Sequence, residues 1–214
     1  MTKPVIREPM RRNSRSNRAR ILTAARQELG RNPDVTLEEI ARAAGVVRRT
    51  LFGHFPGRAA LLDALAEEAS EALRGAVARE PDAEEAPERA LARFVLSIWP
   101  VGDRYRLLLA LARRDLGTQR VSEILAPARD EATAILERGQ RAGVFHDHLP
   151  AAVLSAALEA LTLSLLESVN TGAWEDDGTR TAVATLLAAG VSEQSATATV
   201  EGVAPKARAE ASAG

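Results

Sequence analysis

The stretch that decides the fold is residues 36–55, TLEEIARAAGVVRRTLFGHF. Thr36, followed three residues later by Glu39, is a capping box, which opens a helix. Gly45 permits a tight turn, because glycine adopts positive φ without steric cost. Leu51 then packs a second short helix onto the first. This spacing predicts a helix-turn-helix.

Helices are predicted on both sides of this pair. Upstream, apolar residues at three- and four-residue spacing mark one face of a helix over about Asn17–Gly30. Downstream, Pro56 and Gly57 break the pattern before a long amphipathic helix. Residues 1–15 have no hydrophobic period and are expected to form a flexible basic arm. We therefore predict a three-helix domain over residues 16–56.

Residues 57–190 are predicted to form a second helical domain, with an acidic linker at about residues 80–88. Aromatic residues make up only 3% of the chain, and the abundant Ala, Leu, Glu and Arg favour helices over strands. The fold class is therefore all-α. Residues 191–214 have little apolar periodicity and are expected to be a disordered tail. The helices predicted beyond the linker are Pro87–Trp99, Asp103–Leu116, Ser122–Ala142, Ala151–Val169 and Thr179–Ala189.

Composition excludes several classes of protein. The sequence has no cysteine, so it offers no disulfide, no thiolate metal site and no cysteine nucleophile. Its basic start lacks the apolar segment of a secretory signal. No stretch supplies the roughly 18 uncharged apolar residues of a membrane helix. We expect a cytoplasmic protein with no membrane partner and no cofactor.

Charge is distributed unevenly along the chain. Residues 1–58 contain 13 Lys and Arg against 5 Asp and Glu, whereas the remainder contains 15 and 24. The basic first quarter suggests that this part of the chain binds phosphate groups. In the second helix of the helix-turn-helix, Arg48 and Arg49 are predicted to be exposed, and arginine can contact guanine O6 and N7 bidentately. Double-stranded DNA is the predicted partner. The alternative is an ordinary helical hairpin whose arginines are only solvated.

Several short runs carry a resemblance to a known family. They are Arg20-Ile21-Leu22, Ala24-Ala25, Ile40-Ala41, Ala43-Ala44-Gly45-Val46, Thr50-Leu51-Phe52, His54-Phe55-Pro56 and Ala60-Leu61-Leu62. Through them, residues 17–62 resemble the DNA-binding domain of TetR-type transcriptional regulators. The resemblance implies an N-terminal helix-turn-helix DNA-binding domain followed by a C-terminal helical domain for ligand binding and dimerisation.

The resemblance also implies individual DNA contacts. Arg48, Arg49 and Thr50 match positions nearest the base edges. Val47 stands where a capping Ser is usual, and Phe52 stands where a Tyr commonly donates to a phosphate, so each departure removes an expected hydrogen bond. The full set of predicted DNA-binding positions is Thr36, Val47, Arg48, Arg49, Thr50, Phe52, His54 and Arg58. The arm residues proposed for a neighbouring minor groove are Arg7, Arg11, Arg12 and Arg15.

A second subunit is expected because Ala151–Val169 is apolar on more than one face. The resemblance implies that this helix and Thr179–Ala189 pair with their copies in a two-fold homodimer. A core helix of a monomer is the alternative. The predicted interface residues are Leu154, Leu158, Leu161, Leu165, Val183 and Leu187.

A pocket for a small, largely apolar effector is implied within residues 57–170. Its predicted wall residues are Phe94, Trp99, Tyr105, Leu108 and Thr162. The implied function is a repressor that binds a near-palindromic operator as a homodimer and is released by a small-molecule inducer.

Other functions remain open at this point. One is a transcriptional activator or a ligand-independent DNA-binding factor, and a more distant one is an all-helical enzyme. The best local candidate for metal chemistry is the sequence His146-Asp147-His148. Its two-residue spacing in a loop does not fit the four-residue spacing of a metal-binding pair on a helix, so we predict no metal site.

Overall fold

The computed structural model describes residues 8–78 and 84–211, apart from the side chains of 8–12, 106, 107, 109, 110, 113 and 205–211. The described residues form nine helices and no strand, which confirms the predicted all-α class. The helices are α1 (Glu8–Arg31), α2 (Leu37–Ala43), α3 (Arg48–His54), α4 (Arg58–Val77), α5 (Pro87–Asp115), α6 (Thr118–Arg141), α7 (Ala151–Asn170), α8 (Thr179–Ala188) and α9 (Glu193–Ala211).

The first compact unit contains the chain up to Glu68 together with Leu107–Val121. Helices α1, α2 and α3 pack against one another in it. Burial of each large apolar side chain contributes about 1.5–3 kcal/mol, which offsets the entropy of ordering these short helices. The predicted domain boundary at residues 56 and 57 falls inside this unit. Its fully buried core side chains are Ile21, Leu29, Ile40, Leu51, Leu61 and Leu65.

Helix α1 begins earlier than expected, at Glu8 rather than near Asn17. Pro9 is tolerated there because the first turn of a helix has no internal partner for its backbone N–H groups. The prediction of a flexible arm is therefore wrong from Glu8 onward. Arg15 is exposed on this helix. Arg7 and the side chains of Arg11 and Arg12 lie outside the described residues.

Helix α5 is continuous, although the sequence predicted two helices separated by Gly102. Pro100 lies inside it and is exposed, and it removes one backbone hydrogen bond from the helix. Buried residues continue at helical spacing past this point, from Trp99 to Tyr105 and Leu108. The apolar pattern on both sides of the proline thus keeps one helix.

The second compact unit contains Ala69–Arg106 and the chain from Ser122 onward. Within it, α7 packs against α8, and α8 packs against α9. By length and composition, α7 is the one helix of the described residues that could cross a membrane. Its inward face belongs to the core of this unit, and the buried residues on that face are Ala151, Leu154, Ser155, Leu158 and Leu166.

Helix α9 occupies most of the segment that was expected to be disordered, so that prediction is wrong. Its buried residues are Ala196, Val200, Val203 and Ala204, a helical stripe of small apolar side chains. Ser192 caps its start, because the Ser195 N–H donates to the Ser192 Oγ at 3.3 Å. Small side chains give a weak hydrophobic period, which explains why the sequence pattern missed this helix.

The loop between α6 and α7 is tied to the end of α8 by His146. The His146 N–H donates to the Ala189 carbonyl at 3.1 Å, and its Nε2 lies 3.0 Å from the Ala188 carbonyl oxygen. The His146 and His148 rings stack with centroids 3.7 Å apart. Histidine here satisfies carbonyls at the end of α8. No group of three or more metal-ligating side chains occurs within the described part of the chain.

Candidate nucleic-acid interface

The start of α2 is fixed by Thr36 and Glu39. The Glu39 N–H donates to Thr36 Oγ1 at 3.3 Å, and the Thr36 N–H donates to Glu39 Oε2 at 2.8 Å, which is the predicted capping box. The hydrogen bonds from the Thr36 N–H and hydroxyl lower the pKa of Glu39, and Arg42 lowers it further. The charged carboxylate is therefore the form that holds this helix start.

The turn between α2 and α3 depends on Gly45 and on a side chain of α1. Gly45 has φ of 62°, the left-handed conformation that glycine adopts most easily. Arg20 Nη2 donates to the carbonyls of Ala44 and Gly45, at 2.6 and 2.9 Å. A Cβ added at Gly45 would lie 2.8 Å from that nitrogen. The turn thus needs both the glycine and the arginine.

Helix α3 is anchored from one side and open on the other. Leu51 is completely buried and packs this helix onto the unit. Val47 precedes it with extended backbone, makes no side-chain cap, and is 68% exposed. The absence of a capping oxygen at this position follows from the sequence. An apolar side chain therefore stands exposed where α3 begins.

The two predicted base-reading arginines differ in their surroundings. Arg48 Nε lies 3.0 Å from Glu38 Oε1, and its guanidinium lies 5.1 Å from the centre of the Phe52 ring. Arg49 is exposed and has no ion pair with any residue that the structure describes. Both arginines lie on the outer face of α3. Arg48 is held by Glu38 and Phe52, whereas Arg49 has no such restraint.

The other predicted contact residues surround this face. Thr50 and His54 are half-buried on α3. Phe55 is buried, and the Arg18 guanidinium lies 5.5 Å from its ring centre.

Arg58 is turned toward its own unit. Its Nη1 donates to the Val35 carbonyl at 2.9 Å, Nη2 donates to the Pro33 carbonyl, and Nε lies 3.5 Å from Asp115 Oδ2. Hydrogen bonding from Arg114 lowers the pKa of Asp115, and Arg58 lowers it further. In this arrangement, Arg58 ties down the loop between α1 and α2, while its role at DNA stays a prediction.

The predicted ligand-wall residues are buried or half-buried. Phe94, Trp99 and Tyr105 lie in the second unit, and Leu108 lies in the first. The Trp99 indole N–H donates to the Asp176 carbonyl at 3.3 Å, so only its ring surface is left for a ligand. Thr162 is half-buried, and its hydroxyl donates to the Leu158 carbonyl at 2.9 Å.

Two of the predicted dimer residues are placed in the core instead. Leu154 and Leu158 are 2% and 6% exposed, so they have almost no surface to give to a second chain. They lie on the same face of α7 as residues that pack inside the second unit, so their side chains point into that core. Leu161, Leu165 and Val183 are half-buried, and Leu187 is 42% exposed.

Sequence reasoning missed the contacts of Arg20 and Glu38. Arg20 acts across 24 residues of chain, and Glu38 meets an arginine on the other side of a turn. Spacing rules for side-chain pairs hold within one helix, so neither contact leaves a periodic signal.

Comparison with known proteins points to the same part of the chain. The family model described as "Bacterial regulatory proteins, tetR family" matches residues 21–65. Among curated proteins, none matches the sequence. The matched segment contains α2, the turn and α3.

Solved structures share the fold over most of the chain. CprB, a TetR family protein from S. coelicolor A3(2), is 20% identical with a TM-score of 0.70, covering 89% of this chain and 98% of that one. A tetR-family regulatory protein from Rhodococcus RHA1 is 19% identical with a TM-score of 0.69, covering 82% and 98%. LfrR, a TetR-like regulator from Mycobacterium smegmatis in complex with proflavine, is 26% identical with a TM-score of 0.60, covering 80% and 93%.

Residues 21–65 therefore match the tetR family of bacterial regulatory proteins, and the chain has the fold of solved tetR-family proteins.

Proposed function

We propose that this chain is a cytoplasmic, ligand-responsive repressor that binds a near-palindromic operator as a homodimer and is released by a small-molecule inducer. The observation that carries the proposal is the outer face of α3, where Arg48 and Arg49 are both exposed. An exposed helix bearing two arginines fits the major groove, where guanine presents two acceptors to a guanidinium.

The DNA contacts divide by chemistry. Arg48, Arg49 and Thr50 are assigned to base edges, and Thr36 and His54 to the phosphate backbone. Val47 and Phe52 are assigned apolar contact, because neither side chain has a donor. Each arginine that pairs bidentately with a guanine contributes about 1–3 kcal/mol of discrimination.

A homodimer is supported by an uncharged surface on α7 and α8. Val153 is 51% exposed and Leu187 is 42% exposed, whereas most large apolar side chains of the second unit are buried. Helical spacing puts Val153 on the side of α7 away from its buried face. We call this set the uncharged face; its members, exposed or half-buried, are Val153, Ala157, Leu161, Ser164, Val183, Ala184 and Leu187. Two copies related by a two-fold axis give two reading heads and hence a near-palindromic site.

Release by a ligand is supported by the LfrR structure, in which a regulator of this fold is in complex with proflavine. In this chain, Phe94, Trp99 and Tyr105 provide aromatic surface in the second unit, and Thr162 of the same unit adds a hydroxyl group. A ligand lowers DNA affinity only if it binds one conformation of the protein better than another, typically with a coupling of about 1–3 kcal/mol.

Ligand binding can be followed by tryptophan fluorescence. In Trp174→Phe, Trp99 is the only tryptophan of the chain. Titration with a panel of small apolar compounds is expected to change the emission for at least one of them, and that compound is expected to weaken DNA binding. A ligand that changes the emission but leaves DNA affinity unaltered would contradict the inducer role.

The DNA-binding claim is tested by selecting duplexes from a random pool with the purified chain. We expect a near-palindromic consensus, and Arg49→Ala is expected to lose it. Arg141→Ala removes the same charge from the exposed end of α6 and serves as the matched control. Selection of no consensus by the unaltered chain would refute the proposal.

The sign of regulation needs a separate measurement. A reporter gene behind the selected site is expected to be silenced by the protein and restored by the inducer. Higher output in the presence of the protein would identify an activator instead.

A further inference from the structure

We propose that Glu38 is a positioning residue that holds Arg48 in the geometry that reads one base pair of each half-site. The inference rests on the proposed operator-reading function and adds to it a residue that itself contacts no base. Glu38 lies on α2, and Arg48 is the first residue of α3. The ion pair therefore bridges the two helices of the motif on its outer surface.

The atoms that pair determine what Arg48 has left to offer. Glu38 Oε1 lies 3.0 Å from Nε of Arg48. Because the carboxylate lies on the Nε side of the guanidinium, the two terminal nitrogens, Nη1 and Nη2, remain for a ligand. Their N–H groups form a planar fork that matches the O6 and N7 acceptors of guanine. Glu38 thus selects the end-on approach of the guanidinium.

Phe52 fixes the other degree of freedom of the guanidinium. Its ring centre lies 5.1 Å from the guanidinium carbon, within the range of a cation–π contact. A ring below and a carboxylate beside the guanidinium restrict its rotation, so less side-chain entropy is lost when a base is bound. Arg49 has neither restraint, which makes Arg48 the preorganised arginine of the pair.

Folding stability does not account for this arrangement. The Arg48 and Glu38 side chains are 69% and 45% exposed, and ion pairs this exposed contribute little to stability. A carboxylate beside a DNA-binding helix also repels phosphate, so Glu38 weakens non-specific binding. We therefore assign Glu38 a role in sequence selectivity, and it also weakens binding to random DNA.

The test compares base-pair selectivity profiles of the unaltered chain and four variants. Each protein is titrated against the selected operator and all its single base-pair substitutions. Arg48→Ala is expected to lose discrimination at one base pair of each half-site. Glu38→Gln and Phe52→Leu are expected to reduce discrimination at that same base pair by about tenfold or less, as loss of part of one bidentate contact predicts. Glu38→Gln is also expected to bind random DNA as tightly as the unaltered chain, or more tightly.

Asp34→Asn is the matched control, because it removes one negative charge from the same unit. The Asp34 side chain is 85% exposed, and its Oδ1 lies 3.8 Å from Arg114 Nη2. It therefore pairs with Arg114 and with neither Arg48 nor Arg49. Its selectivity profile is expected to be unchanged. A general charge effect would instead alter Asp34→Asn and Glu38→Gln alike, and it would overturn the positioning role.

Two results separate this inference from the function on which it rests. If the unaltered chain discriminates among sequences but Glu38→Gln keeps its full profile, only the positioning role is wrong. If Glu38→Gln tightens binding to every sequence equally, Glu38 merely competes with DNA, and the role is again wrong. If the unaltered chain shows no discrimination, operator reading itself fails and this inference fails with it. Circular dichroism checks that each variant is folded.

Discussion

Arg20 illustrates how one side chain can determine the geometry of a reading head. Its guanidinium donates to the carbonyls of Ala44 and Gly45, which directly follow the end of α2. A cation at a helix C-terminus also interacts favourably with the helix dipole. The position of α3 thus depends on a residue of α1 that is not itself proposed to touch a base.

Arg20→Ala is expected to destabilise the protein by about 1–2 kcal/mol, because two carbonyls lose a charged donor. The free energy of unfolding by urea measures this directly. Arg15→Ala, an exposed arginine on the same helix, is the control and is expected to change stability by less than about 0.5 kcal/mol. Equal stability of the two variants would show that the Arg20 contact does not hold the turn.

Gly139 makes a second prediction at this scale. A Cβ placed there would lie 2.1 Å from the Phe145 ring, and that ring is buried. Gly139→Ala is therefore expected to cost about 1–3 kcal/mol through overpacking. Gly75→Ala has no atom within 4 Å of the added carbon and is expected to stabilise α4 slightly. The melting temperature is expected to fall in Gly139→Ala and to rise slightly in Gly75→Ala. An unchanged melting temperature in Gly139→Ala would contradict the overpacking argument.

At the scale of the elements, the sequence predicted helices whose ends carry specific chemistry. The capping box at Thr36 and the glycine at residue 45 set α2 and the turn, and both were readable. The extents of α5 and α9 depend instead on burial in the folded structure. Pro100 does not end α5, and the small residues of α9 give too weak a period to be recognised. In the candidate site, Arg48 and Arg49 followed from the motif, whereas Glu38 became visible only once α2 and α3 were packed.

The start of α2 should respond to acid. Because the pKa of Glu39 is lowered in the folded state, its contribution is fully present above its ordinary value of about 4.5 and is lost as the pH falls through the lower, folded value. Glu39→Gln is expected to depend less on pH between about 5 and 3 than the unaltered protein does. Thermal unfolding across that range is the measurement, and identical pH profiles would contradict the assignment.

At the scale of the whole molecule, the proposed function requires two copies of the chain. One reading head contacts a short stretch of DNA, and a two-fold dimer places a second head on the opposite half-site. The uncharged face of α7 and α8 is the surface proposed to hold the copies together. In this proposal, the basic first quarter of the sequence binds phosphate in both half-sites.

Leu187→Glu puts a charge on the uncharged face and is expected to yield a monomer, because an unpaired buried charge costs several kcal/mol. Sedimentation equilibrium gives the mass. Ala152→Glu adds the same charge at an exposed position on another side of α7 and is expected to leave the dimer intact. A Leu187→Glu variant that remains dimeric would place the interface elsewhere.

The central claim is tested most directly by titrating the selected operator and a scrambled duplex of equal length at several salt concentrations. The account predicts two chains per operator, binding at least about a thousandfold tighter than to the scrambled duplex, and a logarithm of affinity that falls linearly with the logarithm of salt. Equal, weak binding to both duplexes would contradict it.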